Sequence, residues 1–308
     1  MRNKKRIALV TSVVMLATSG VYTLCHRTKN YSRYVNQTLN ITNNDDFLIC
    51  AHRGFSSLAV ENTQESIILA NNKEYIDYIE MDVQMTKDHQ FVLSHDSIIY
   101  DENNNAIKII NYTLDELLNI NFKYHANYFK TNIWTDNENI LLNQRSRKLN
   151  NQIYHLISLK EAINCSNKNL LLDLKFNCNI EEYVHTLKEY LKEVDTSRII
   201  FQSLNIRGIT YLQDNSDYNC LVLISTMNDL NSTQSFNKVG IKYSLVDVDL
   251  IKDLIFSDKV IAIWTINNSI EFNNVIDNLG EYYQDIIYIT NNPDIIDYKL
   301  NEKKLIKK

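Results

Sequence analysis

Eight short runs rich in Ile, Leu and Val recur along this chain, and helical patterns separate most of them. The runs fall at residues 47–51, 78–83, 170–174, 198–202, 220–224, 241–246, 260–266 and 286–290. Between them, as in residues 181–194, Val184, Leu187 and Leu191 share one helical face. Continuous apolar strands alternating with helices describe a parallel sheet covered on both faces. Eight such units in about 260 residues match the size of a (β/α)8 barrel. The rival is a doubly wound open sheet, but the first run lacks the Gly-rich phosphate loop of that fold. The predicted class is α/β: a (β/α)8 barrel over residues 47–300.

One strand-like piece, residues 91–94, breaks the alternation. Only residues 86–90 separate it from the second run, too few for a parallel crossover. A β-hairpin is therefore expected, with its turn near residues 87–90 and His95 roughly opposite Asp82. Residues 100–150 form an insertion after it, with a helical piece at 113–119. Residues 121–151 are polar and aromatic and show no clear period.

The N-terminus carries four basic residues in its first six, followed by an uncharged run over residues 7–25. That pattern reads as an N-terminal hydrophobic helix serving as membrane anchor, or as a cleaved signal peptide. Residues 26–46 read as a polar stalk. The basic flank places the bulk of the chain outside the cytoplasm, anchored or secreted.

With 5 Gly and 1 Pro in 308 residues, collagen-like and Pro-rich disordered classes are excluded. A net charge of −5 argues against nucleic acid as a partner. The five cysteines contain no CxxC pair, so no zinc site of that kind is predicted. Cys50 reads as a small buried hydrophobe, and a Cys165–Cys178 disulfide is open. Gly54 closes a turn after the first run, and Gly208, Gly240 and Gly280 read as lying in or beside connections.

The polar residues near strand ends form a pattern. His52-Arg53-Gly54 follows the first strand. Glu80 and Asp82 lie two apart on the second strand and share a face, as do Asp173 and Lys175 on the third. His95-Asp96 ends the hairpin return. In a barrel these converge on one mouth. Three carboxylates in one place repel unless a cation sits among them, and their oxygens select a hard divalent ion, Mg²⁺ or Ca²⁺. Two flanking histidines suit general acid and base work. Arg53 and Lys175 supply positive charge for a phosphate. The chemistry indicated is metal-assisted phosphodiester hydrolysis. Glu61 and Asn62 read equally as site residues or as caps of a helix over 63–71. Trp264, at a strand end, reads as a wall of the substrate pocket. His26, His89, His125, His155 and His185 have no supporting constellation.

At this point the chain resembles the glycerophosphodiester phosphodiesterase family, from residue 47 to about 295. The resemblance rests on His52-Arg53, Glu80-Met81-Asp82 and His95-Asp96 in order. Around them stand Glu61-Asn62-Thr63, Asp173-Leu174-Lys175, Gln202-Ser203, Trp264-Thr265-Ile266-Asn267 and Thr290-Asn291-Asn292-Pro293. It implies a TIM barrel, hydrolysis of a small-molecule or lipid-derived glycerophosphodiester to glycerol 3-phosphate and an alcohol, and a divalent metal held by Glu80, Asp82 and Asp173. It also implies His52 and His95 as the acid/base pair; Arg53, Lys175, Trp264 and Glu61 are read as substrate-binding from their charge and their positions near strand ends. Three positions depart from the family pattern. Asp173 replaces a usual Glu, Val60 a usual Pro, and His89 the usual hairpin Gly. Two other readings stand beside this one: a phospholipase D-like enzyme acting on lysophospholipids or sphingolipids, and a non-enzymatic surface binding protein on a decayed barrel.

Overall fold

The computed structural model describes residues 47–126 and 137–306. The chain enters at β1 (Leu48–Ala51), crosses through α1 (Gln64–Asn71) and returns parallel as β2 (Tyr78–Met85). Then β3 (Phe91–Leu93) folds back antiparallel on β2. The insertion follows, with the hairpin β4 (Ile98–Tyr100) and β5 (Ala106–Lys108), then α2 (Leu114–Leu118). It continues through β6 (Phe122–Lys123) and α3 (Asn137–Leu149) to β7 (Ile153–Tyr154), which pairs with β6. The barrel resumes with α4 (Leu159–Asn164), β8 (Asn169–Leu174), α5 (Ile180–Leu191), β9 (Ile199–Ser203) and α6 (Ile206–Asp214). It closes through β10 (Asn219–Ile224), β11 (Lys238–Lys242), α7 (Val248–Phe256), β12 (Val260–Trp264), α8 (Ser269–Leu279), β13 (Ile286–Thr290) and α9 (Pro293–Ile306).

Eight parallel strands pair in the order β1, β13, β12, β11, β10, β9, β8, β2, and β1 pairs with β2 to complete the ring. This is the expected (β/α)8 barrel. Its strands are apolar on both faces because one face fills the barrel and the other meets helices. Every residue of β13, Ile286 to Thr290, is buried. The helices bury one stripe each. In α5 that stripe is Tyr183, Val184, Leu187 and Leu191, and Asn179 caps the helix through the N–H groups of Glu181 and Glu182.

Three local expectations are corrected. The apolar run at 241–246 predicts a strand there, but β11 is Lys238–Lys242 and Tyr243–Leu245 forms a 3₁₀ turn. The strand starts on a buried lysine and contains Gly240, which hides it from an apolar scan. Gly240 is a strand residue because the side chains of Leu221 and Leu223 occupy the space of its absent Cβ, with Leu223 Cδ2 only 2.3 Å from that position. Gly208 lies in α6 against the Phe176 ring, while Gly280 caps α8 at φ +58° as a connection residue. In the hairpin, Ser94 rather than His95 stands opposite Asp82, donating its N–H to the Asp82 carbonyl at 3.0 Å. His89 adopts φ +60° where the family resemblance leads one to expect Gly.

The insertion holds a second, smaller apolar cluster of Val92, Ile99, Ile107, Ile109, Leu117, Phe122 and Leu156. Helix α3 carries no strong apolar period, and among its buried side chains are Leu142, Ser146 and Leu149. Polar contacts with the barrel loops supply the rest of its attachment. The four described cysteines are free, and Cys50 is fully buried. No helix among the described residues is long and apolar enough to cross a membrane. The hydrophobic run at 7–25 and the stalk at 26–46 lie outside the described residues.

Gly240→Val drives a branched side chain into the space of two buried leucines. We expect a loss of about 1–3 kcal/mol, read from the midpoint of urea unfolding.

Candidate active site

Adjacent strands β2 and β8 bring the acidic groups together. Asp82 and Asp173 are direct partners across the two strands, and Glu80 lies two residues before Asp82 on the same face. Glu80, Asp82 and Asp173 are all buried, and each offers a carboxylate oxygen within 4.8 Å of the others. Two cations serve this trio. Lys175 Nζ lies 2.8 Å from Asp82 and 2.6 Å from Asp173, and Arg53 Nε lies 3.1 Å from Asp82. Arg53 is shared with Glu61, so the acidic groups outnumber the two cations, and neither cation pairs directly with the Glu80 carboxylate. The titration directions follow from this. Burial, then the charges of Asp82 and Asp173, push the Glu80 carboxyl well above its usual range. Burial also raises Asp173, with Lys175 opposing it. Burial acts the same way on Asp82, but Arg53 and Lys175 outweigh it and hold that carboxyl low.

The turn after β1 wraps around Glu80. Arg53 adopts φ +57° and donates its backbone N–H to the Glu80 carboxylate at 2.9 Å. Gly54, at φ +75°, donates its N–H to the Glu80 carbonyl at 3.2 Å. A Cβ on Gly54 would lie 2.7 Å from the backbone carbon of Ser66, so the turn packs directly on α1. Arg53 also donates from its guanidinium to Glu61 at 2.8 Å, and Glu61 accepts from Tyr124 at 3.3 Å. Helix α1 is capped by Thr63 in a capping box with Ser66, so neither Glu61 nor Asn62 is its cap. Asn62 instead clamps Asp82. Its amide donates to the carboxylate at 2.8 Å and its oxygen accepts the Asp82 N–H at 3.1 Å.

His52 and His95 line different cavities. His52 donates from Nδ1 to the Asn291 side-chain oxygen at 2.6 Å, and the Ser56 hydroxyl donates to the same oxygen at 3.2 Å. That acceptor fixes the proton on Nδ1 and leaves the Nε2 lone pair free, 3.8 Å from Glu80. Burial and the neighbouring Arg53 push His52 down to about 3, so it is neutral near pH 7. The His95 side chain is 40% exposed, and its Nδ1 lies 2.8 Å from Asp96.

Three cavities meet here. One of about 290 Å³ lies between His52, Arg53, Asn267, Asn291 and, on α3, Arg145. A second, of about 480 Å³, is bounded by Arg53, Glu61, His95, Tyr124, His125 and Tyr154. The third, of about 620 Å³, runs past His95, Asp173, Lys175 and Ser203. Trp264 ends β12, packs half-buried on the barrel core and borders none of these three. His125, given no role from sequence, lines the second.

The donor set fits a hard divalent cation: three buried carboxylates whose oxygens converge and whose negative charge the nearby cations only partly offset. Beside Asp173 in the sheet register, buried Gln202 has a side-chain oxygen with no hydrogen-bond partner. Sequence reasoning named His52, Arg53, Glu80, Asp82, His95, Asp173 and Lys175, and the fold gathers them at one mouth. Ser56 and Arg145 gave no sequence signal. Asn291 stood in a quoted motif without a role.

The glycerophosphoryl diester phosphodiesterase family model matches residues 52–294. YhdW of Bacillus subtilis is 45% identical over 69 residues, covering 22% of this chain and 28% of its own length. A glycerophosphodiester phosphodiesterase of Haemophilus influenzae is 35% identical over 91 residues, covering 30% of this chain and 23% of its own. The chain thus spans only a minor part of either curated relative. A phosphodiesterase of Oleispira antarctica, solved with the product sn-glycerol-3-phosphate, superposes with a TM-score of 0.60 at 21% identity, over 82% of this chain and 96% of the other.

Asn62→Ala removes both partners that Asn62 gives Asp82 and leaves Ala at φ +57°. We expect about 2–4 kcal/mol of destabilisation in urea unfolding.

Proposed function

The chain belongs to the glycerophosphoryl diester phosphodiesterase family, and from that premise we propose that it hydrolyses glycerophosphodiesters to glycerol 3-phosphate and an alcohol. One observation carries the reading: a buried trio of carboxylates, served by two cations, with His52 beside Glu80 and His95 lining the adjoining cavities at the barrel mouth. Glu80, Asp82 and Asp173 would hold a divalent ion, Mg²⁺ or Ca²⁺, which when bound supplies Lewis-acid stabilisation of the phosphoryl oxygens. Glu61 shares Arg53 with the trio, so the carboxylates outnumber the two cations, and a divalent ion would offset that excess of negative charge. Arg53 and Lys175 flank the carboxylates at the position where the phosphate would lie.

His52 is the base in this proposal. Its Nε2 takes the proton of the attacking hydroxyl as the new O–P bond forms. The P–O bond to the departing alcohol breaks, and His95 gives that alkoxide a proton. Water and the glycerol 2-hydroxyl both meet the requirement for a nucleophile near His52. The latter would pass through a cyclic phosphate. Glu61 orients Arg53, and Trp264 is proposed as a pocket wall from its place at a strand end alone. Tethering to a membrane through residues 7–25, with the catalytic domain outside the cytoplasm, belongs to the proposal on sequence grounds.

A second reading has one observation in its favour. Ile98 and Tyr100, 45% and 46% exposed, border the 480 Å³ cavity beside His95 and offer apolar surface to a lipid chain. Turnover of lysophospholipid in preference to glycerophosphocholine would select that phospholipase-like reading.

His52→Ala and His95→Ala should each lower kcat by roughly 10²- to 10⁴-fold on a glycerophosphodiester panel. Wild-type rates in either would refute its assignment. Excess EDTA should abolish turnover, and Mg²⁺, Ca²⁺ or Mn²⁺ should restore it. Inactivity toward the whole panel with each ion would favour a binding protein on a decayed barrel.

A further inference from the structure

We propose that Arg145, carried by the insertion helix α3, is a positioning residue for His52, so that the insertion is part of the catalytic apparatus. The proposal rests on His52 as the base. A continuous set of directed hydrogen bonds joins the two residues. The Arg145 guanidinium donates to the side-chain oxygen of Asn292 at 3.0 Å, and to both carboxylate oxygens of Asp294 at 3.1 and 2.5 Å. Asn292 is fully buried. Its amide nitrogen donates to the carbonyl of Asn267 at 3.0 Å, and its backbone N–H to the Thr290 hydroxyl at 2.9 Å. Asn267 in turn accepts the Asn291 N–H on its side-chain oxygen at 3.0 Å. Asn291 then accepts from His52 Nδ1.

The polarity of this series matters. Arginine can only donate, so its contact forces the Asn292 oxygen toward α3 and the nitrogen toward Asn267. Without Arg145, a fully buried amide oxygen would lose its donor, and turning the side chain over would set that oxygen against the Asn267 carbonyl, so neither orientation is satisfied. The loops after β12 and β13 would then be held less firmly, and with them Asn291 against His52. The helix has a second anchor that does not involve Arg145. Near its start, Glu138 accepts the Ser269 N–H at 2.6 Å and also the Ser269 hydroxyl. Buried Leu142 and Leu149 hold it as well. Loss of Arg145 therefore perturbs the loops without freeing the helix. Arg145 also lines the 290 Å³ cavity with His52, so direct contact with substrate is the rival role. Its Nη1 and Nη2 groups already donate to Ser57, Asn292 and Asp294, which favours positioning.

The test uses the full chain, with histidine labelled by ¹⁵N. Wild type should show His52 protonated on Nδ1 at neutral pH. Arg145→Met and Asn292→Ala should each shift His52 toward a mixture of tautomers. Each should lower kcat about 10- to 100-fold while KM stays within about threefold. The double variant should be no worse than the single ones, because both break the same series. Asp294→Asn, which keeps the Asn292 contact, should retain most of kcat. If Arg145→Met does not fold, Asn292→Ala carries the same comparison. A wild-type His52 tautomer and kcat in these variants would overturn the proposal, as would a loss confined to KM. Full activity in His52→Ala would instead overturn the underlying mechanism, and the tautomer measurement would still report on the series.

Discussion

Three carboxylates share a buried space that cannot hold three unscreened charges, and much of the barrel mouth is arranged around that constraint. Like charges at this range in a poorly polarisable interior cost several kcal/mol unless opposite charge and hydrogen bonds meet them. Lys175 bridges Asp82 and Asp173, Arg53 pairs with Asp82, and Asn62 closes the remaining side of Asp82. The price is backbone strain, with Arg53 and Asn62 both held at φ +57°. Gly54 lets the turn lie directly on α1. The same groups that make the carboxylates tolerable also frame a place for an ion and a phosphate.

The insertion meets this centre from two directions. Tyr124 reaches Glu61, and through it Arg53, from the stretch after β6. Helix α3 reaches the loops after β12 and β13 through Arg145 and Glu138. Both attachments are polar and specific, which suits a segment that must sit in one orientation over the mouth. Apolar packing alone, with its weaker directionality, would leave the helix freer to slide.

The barrel was legible because burial on two faces writes itself as continuous Ile, Leu and Val. The acidic and basic set at the barrel mouth was legible because spacing of two on a strand places both side chains on one face. Signals failed where a residue's role depends on a partner far along the chain. Lys238 and Gly240 hid the start of β11, since a glycine filled by neighbouring leucines looks like a loop. Asn62 looked like a helix cap because Asn is common there, and only the position of Asp82 shows its use. Arg145 sits in a polar stretch whose helix owes much to ion pairs and amide contacts, so no periodicity marked it. The register of the hairpin was off by one because the turn residues do not fix how the two arms align.

Lys175 also bears on the order in which this protein is assembled. Its amino group lies between two of the carboxylates that would hold a divalent ion, as a covalently attached counterion. Small metallo-domains whose ligands repel one another often cannot fold until the ion arrives. Here most of that repulsion is cancelled from within the chain. The barrel would therefore close without an ion, and the proposed ion would be taken up afterwards by a finished scaffold. Loading would then be a late and reversible step, governed by the ions of whichever compartment the folded domain reaches.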